Sequence, residues 1–93
     1  MATNTNKQPY TVRPGHRYPV GTTPSAEGTN FCVFSRHATR LQLLLYEQPD
    51  SPTPFQIINL DPETNRSFFF WHVFVEGLTQ AGNITYTWKA EGC

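Results

Sequence analysis

Apolar residues recur along this chain in short runs, and within each run they alternate. Gly28–Ser35 places Phe31 and Val33 on one side and Cys32 and Phe34 on the other. Apolar character on both sides marks an inner strand covered on two faces. After a connector at Arg36–Thr39, the run Arg40–Tyr46 sets Leu41, Leu43 and Leu45 against Gln42, Leu44 and Tyr46. Leucine favours helix, yet Pro49, Pro52 and Pro54 close the run after one short stretch, so a strand is predicted. Phe55–Leu60 is a further short strand, followed by the turn residues Asp61–Asn65. The most apolar stretch, Arg66–Val75, reads as one continuous strand with Phe69, Trp71, Val73 and Val75 on one face and Phe68, Phe70, His72 and Phe74 on the other. Glu76–Gly82 turns the chain, and Ile84–Lys89 alternates with Ile84, Tyr86 and Trp88 inward and Thr85, Thr87 and Lys89 outward.

Ahead of these runs the pattern is different. Met1–Val12 is polar and offers almost nothing to bury, so residues 1–14 read as a flexible polar tail and 15–93 as the folded domain. From Pro14 to Gly28 the prolines and glycines punctuate an extended segment, anchored only by Tyr18 and Val20. Five or more short strands with Gly/Pro loops and no amphipathic helix predict an all-β fold, an immunoglobulin-like antiparallel β-sandwich.

Composition narrows the function classes. The chain has 93 residues, enough for one core, with 38% hydrophobic residues and 14% aromatic ones. Seven basic residues balance seven acidic ones, so the net basic field of a nucleic-acid module or a polybasic membrane anchor is missing. No apolar run approaches the ~18 residues of a membrane span, and the first residues have no apolar signal core. Neither nucleic acid nor membrane is an expected partner. Two distant cysteines, Cys32 and Cys93, do not make a disulfide framework, and a cytosolic, reduced chain is expected with Cys32 as a small core residue. The histidines His16, His37 and His72 show no zinc spacing, and no metal or other cofactor is expected.

Chemistry-bearing groups are scattered. Glu27, Glu47, Asp50, Asp61, Glu63, Glu76 and Glu91 all fall in loops, turns or strand ends, where carboxylates are solvated. Acid–base work needs a carboxyl in an apolar pocket or two at a defined separation. Ser35, His37 and Asp61 have no motif around the serine, so no catalytic residues are assigned. Trp71 reads as core. The face carrying Phe70, His72 and Phe74 is too apolar for water and is expected to meet another domain. Trp88, Tyr46 and Phe34 have rings suited to stacking on pyranose faces, although each also fits a core.

Five blocks in fixed order carry a resemblance. Gly15-His-Arg-Tyr-Pro-Val-Gly21, Gly28-Thr-Asn-Phe-Cys-Val-Phe-Ser-Arg-His-Ala-Thr39, Leu43-Leu-Leu-Tyr46, Trp71-His-Val-Phe-Val-Glu-Gly-Leu78 and Tyr86-Thr-Trp-Lys-Ala-Glu-Gly92 resemble the N-terminal domain of bacterial and plant isoamylases and glycogen debranching enzymes. That domain is a family 48 carbohydrate-binding module. The resemblance implies a parent enzyme that hydrolyses α-1,6 branch linkages of glycogen or starch on a TIM-barrel domain of the α-amylase superfamily. The barrel would be the module's partner, in the cytoplasm or, in a plant, the plastid. A barrel needs ~250 residues, so this chain is expected to be non-catalytic. Related modules of the AMP-activated kinase β subunit grip glucan with two tryptophans and a lysine. The lysine falls at Thr87 here, and one tryptophan falls near Phe34. Lys89 stands where the family has Arg, and Cys93 where it has Pro. Weak substrate-binding candidates are therefore Trp88, Lys89 and Thr87. Two alternatives stay open: an independent glycogen- or starch-binding module, and an immunoglobulin-like protein-interaction domain.

Overall fold

The computed structural model describes residues 10–78 and 84–92. They form eight strands: β1 (Val12–Arg13), β2 (Gly21–Pro24), β3 (Gly28–Phe34), β4 (Ala38–Tyr46), β5 (Gln56–Leu60), β6 (Arg66–Ser67), β7 (Phe70–Glu76) and β8 (Thr85–Gly92). One antiparallel sheet runs β1-β7-β3-β2, with β6 on the same edge of β7 as β1. The other runs β5-β4-β8. The predicted all-β sandwich is the fold observed, with no helix among the described residues.

The core is the meeting of two inner faces. Phe31, Trp71, Val73 and Val75 from the first sheet pack against Leu41, Leu43, Leu45, Ile58 and Leu60 from the second. The period-two pattern puts them there: β3 and β7 pair Phe31 with Val73 and Val33 with Trp71, while β4 and β5 pair Leu41 with Leu60 and Leu43 with Ile58. Each of these side chains contributes about 1.5–3 kcal/mol of burial. The Trp71 Nε1–H is fully buried and has no acceptor among the described residues. Such an orphan donor costs about 1–3 kcal/mol against the burial of its ring.

Three expectations need correction. Arg66–Val75 is not one strand but a tight hairpin, in which Arg66 pairs with Trp71 and Ser67 with Phe70 around a two-residue turn at Phe68 and Phe69. Phe68 takes φ 58° there, so the turn has the positive first φ of a type II′ turn without its usual glycine. Phe69 therefore leaves the Trp71–Val75 face, and Phe68 is 77% exposed. Secondly, Val12 and Arg13, placed in the polar tail, pair with Val75 and Phe74. The Gln56 side chain holds the start of this segment, accepting from Tyr10 N at 2.8 Å and donating to Tyr10 O at 2.9 Å. Residues 1–9 of that tail lie outside the described residues, as do Cys93, residues 79–82 of the expected turn and residue 83 after it. Thirdly, β2 is a strand that the Pro/Gly spacing did not signal, pairing Gly21–Pro24 with Cys32–Thr29.

Candidate functional site

The outer face of the first sheet is the one on which Phe70, His72 and Phe74 converge with Asn30, Cys32 and Phe34, since Asn30 pairs with Phe74, Cys32 with His72 and Phe34 with Phe70. The chain covers the centre of that face with its own segment, Pro14–Arg17. Asn30, 4% exposed, clamps His16 at both ends: its Oδ1 accepts from His16 N at 2.8 Å and its Nδ2 donates to His16 O at 3.0 Å. The Cys32 thiol donates to Arg17 O at 3.2 Å, and burial pushes its pKa up.

His72 is 5% exposed. Its Nδ1 lies 2.7 Å from Pro14 O and its Nε2 3.0 Å from Ser67 Oγ. A carbonyl only accepts, so Nδ1 donates to Pro14 O, while Nε2 pairs with the Ser67 hydroxyl, which can donate or accept. Gly15 makes the crossing possible. Its φ is +81°, and a Cβ there would come within 2.7–2.8 Å of Asn30 Oδ1 and the backbone of Val73 and Phe74. The segment is thus a strap over the sheet, a third layer one residue thick.

Phe74 and Phe70, both half-buried, flank the strap. Beside Phe74 lies an open groove of about 380 Å³ lined by Arg13, Pro14, Gly15, His16, Glu27 and Phe74, with Arg13 paired to Glu76. Beside Phe70 the aromatic side chains spill onto the surface. Phe34 meets Phe70 and Phe69 edge-to-face, with centroids 5.3 and 6.1 Å apart. Arg17 lies over Phe68 at 5.6 Å, and Arg36 and Arg66 lie over Phe69 at 5.4 and 5.8 Å. Phe34 is 50% exposed. The sequence reading missed this arginine–phenylalanine cluster because it took the three consecutive phenylalanines as one strand.

The remaining candidates do not converge. On β8, Thr87 and Lys89 are exposed on the outer face of the second sheet, paired with Leu44 and Gln42. Trp88 points the other way, partly buried with its ring 6.5 Å from Phe31. Tyr86 also points inward but stays 36% exposed, with its edge on Phe31. Tyr46 is half-buried at the end of β4. Among the described residues no three His, Cys, Asp or Glu side chains gather as a metal site, and no helix is long and apolar enough to cross a membrane.

The fold and the strapped sheet define a small β-sandwich with no metal-ligand cluster among the described residues. Residues 19–93 match the model of carbohydrate-binding module 48, the isoamylase N-terminal domain, and the chain belongs to that family. It is similar to chloroplastic isoamylase 1 of Oryza sativa, 34% identical over 83 residues that make 87% of this chain and 10% of the relative. A glycogen operon protein GlgX homolog of Mycobacterium bovis is 30% identical over 69 residues, 74% of this chain and 9% of the relative. Among solved structures, a pullulanase of Paenibacillus barengoltzii in complex with maltohexaose and α-cyclodextrin shares the fold, with a TM-score of 0.64 at 19% identity over 81% of this chain and 11% of that one. The chain thus spans about a tenth of the length of these relatives. It is a non-catalytic module.

Proposed function

We propose that this module serves a longer protein that hydrolyses α-1,6 branch linkages in glycogen or starch, and that it docks on the catalytic barrel rather than holding glucan by itself. The match of residues 19–93 to the isoamylase N-terminal domain carries this reading. Two features support docking over an independent sugar grip. On the outer face of the first sheet, Phe74 stays half-buried on one side of the strap and Phe70 on the other, beside the exposed Phe34, Phe68 and Phe69. Trp88 turns its ring inward, away from Thr87 and Lys89, which favours docking over one sugar platform built from these three. The names of the plant relatives place them in chloroplasts, and the reading puts this protein in a plastid if its source is a plant and in the cytoplasm otherwise.

The test is to read the coding sequence beyond Cys93 and to run the 93-residue chain in a glycogen-loaded gel. Continuation into a barrel's worth of strands and helices, with unchanged mobility in the gel, is the expected pair of results. A reading frame that stops, with clear retardation by glycogen, would establish an independent glucan-binding module instead.

A further inference from the structure

We infer that the cluster of Arg17, Phe34, Arg36, Arg66, Phe68 and Phe69 is the surface that meets the partner domain, and that the partner offers it an apolar hollow rimmed by carboxylates. This rests on the docking reading above and names the contact. Three observations carry it.

First, Phe68 occupies a turn position with φ 58°, where an L side chain is strained and glycine is not. Its ring is 77% exposed and adds nothing to the core. A strained, exposed phenylalanine is a loss for this chain folded alone, and it is repaid only by something outside. The turn is held in that shape by Arg66, whose Nε donates to Phe68 O at 2.7 Å.

Secondly, the charges are one-sided. Three guanidinium groups cap the rings of Phe68 and Phe69. Among the described residues the ion pair present is Arg13–Glu76, on another part of the sheet. Arg66 gives its Nε–H to Phe68 O, and the remaining N–H edges of guanidinium groups held on aromatic faces suit planar acceptors, whose geometry carboxylates match.

Thirdly, the shape excludes other occupants. A two-fold dimer through this patch would set the arginines of one copy against those of the other. A glucan chain stacks on open, roughly parallel ring faces, whereas the Phe34 ring is tilted by 70° to Phe69 and by 72° to the neighbouring Phe70, and Phe68 and Phe69 are already capped by arginine.

The experiment exchanges the first module of the whole rice isoamylase 1 for these 93 residues and follows unfolding by calorimetry. Phe68→Gly and the triple change Arg17→Glu/Arg36→Glu/Arg66→Glu are compared with the parent chimera and made in the isolated chain as well. In the parent chimera, module and enzyme are expected to unfold in one transition. In both variants the module's transition should separate and drop to the temperature of the isolated chain. The isolated Phe68→Gly chain should melt at or above the isolated parent, which shows that its fold is intact. Variants that unfold together with the enzyme as the parent does overturn the assignment of this surface while leaving docking in place. A parent chimera whose module already melts at the isolated temperature overturns docking itself. Retardation by glycogen that Phe68→Gly abolishes would make the cluster a sugar site and also overturn the proposal.

Discussion

Replacing Asn30 by alanine removes both ends of the clamp that holds the strap to the first sheet. Two hydrogen bonds are lost, at 2.8 and 3.0 Å, each contributing about 1 kcal/mol net. His16 N and O then lack their partner in a region where the strap partly excludes water, which raises the total to about 2–3 kcal/mol. For a domain of this size 1 kcal/mol moves the melting temperature by about 4–8 °C, so a fall of about 8–24 °C is expected. Thermal unfolding followed by far-ultraviolet circular dichroism reads it directly. Asn30→Asp sharpens the test. It keeps an acceptor for His16 N but sets a carboxylate against His16 O, where the amide had donated. It should therefore be no more stable than alanine at neutral pH and should recover on acidification, when the protonated acid donates again. A loss below about 1 kcal/mol for Asn30→Ala, or an Asn30→Asp variant as stable as the parent at pH 7, would refute the claim that the strap is fixed through this residue.

Gly15→Ala should lower stability by more than about 1 kcal/mol through the same strap, because it meets both a positive φ and close backbone. Its combination with Asn30→Ala should cost less than the sum, as denaturant titration of the double-mutant cycle will show. Gln56→Ala should free the first strand, raising the hydrogen-exchange rate of the Glu76 amide, which donates to Thr11 O at 2.8 Å, with a loss of about 1–2 kcal/mol. Burial raises the Cys32 pKa above its ordinary 9.0, so the folded state holds this proton more tightly than the unfolded one. The corresponding stability is present below the unfolded pKa and is lost as pH rises toward the folded value. In a Cys93→Ser background, a chain that gains stability from pH 8 to pH 10 relative to Cys32→Ala would contradict this.

Where period-two alternation met a plain loop, the sequence read well. Leu41, Leu43 and Leu45 all reach the core, and the turn at Asp61–Asn65 closes as expected, with Asn65 N donating to Asp61 O at 2.7 Å. The hairpin at Phe68–Phe69 was illegible because its turn contains no glycine, asparagine or proline, and three consecutive phenylalanines favour extended backbone. The strap was equally hidden, since its contacts run through the main-chain atoms of Pro14, His16 and Arg17 and leave no mark in hydrophobic periodicity. Apolar character on both sides of β3 did announce a second covering layer. What it did not disclose was that the layer comes from residues 14–17 of the same chain. The expected partner face at Phe70, His72 and Phe74 is therefore divided. His72 lies under the strap, and the surface aromatics gather at the Phe70 end.

The same division explains what the recurring blocks encode. Gly15 and Asn30 belong to two different blocks, and the structure joins them. The glycine lets the strap pass, and the asparagine from the neighbouring block ties it down. Trp71 and Val73 of a third block lie beneath, while Tyr86 of the last abuts Phe31. In this chain these blocks are thus largely the joints of one three-layer packing. The features that would set one module apart from another must then lie where the packing makes no demand. Phe68 is such a position, because folding alone favours glycine there and the chain carries a phenylalanine. A survey of modules that keep the Gly15–Asn30 pair should accordingly find the strap varying less than surface positions outside the packing.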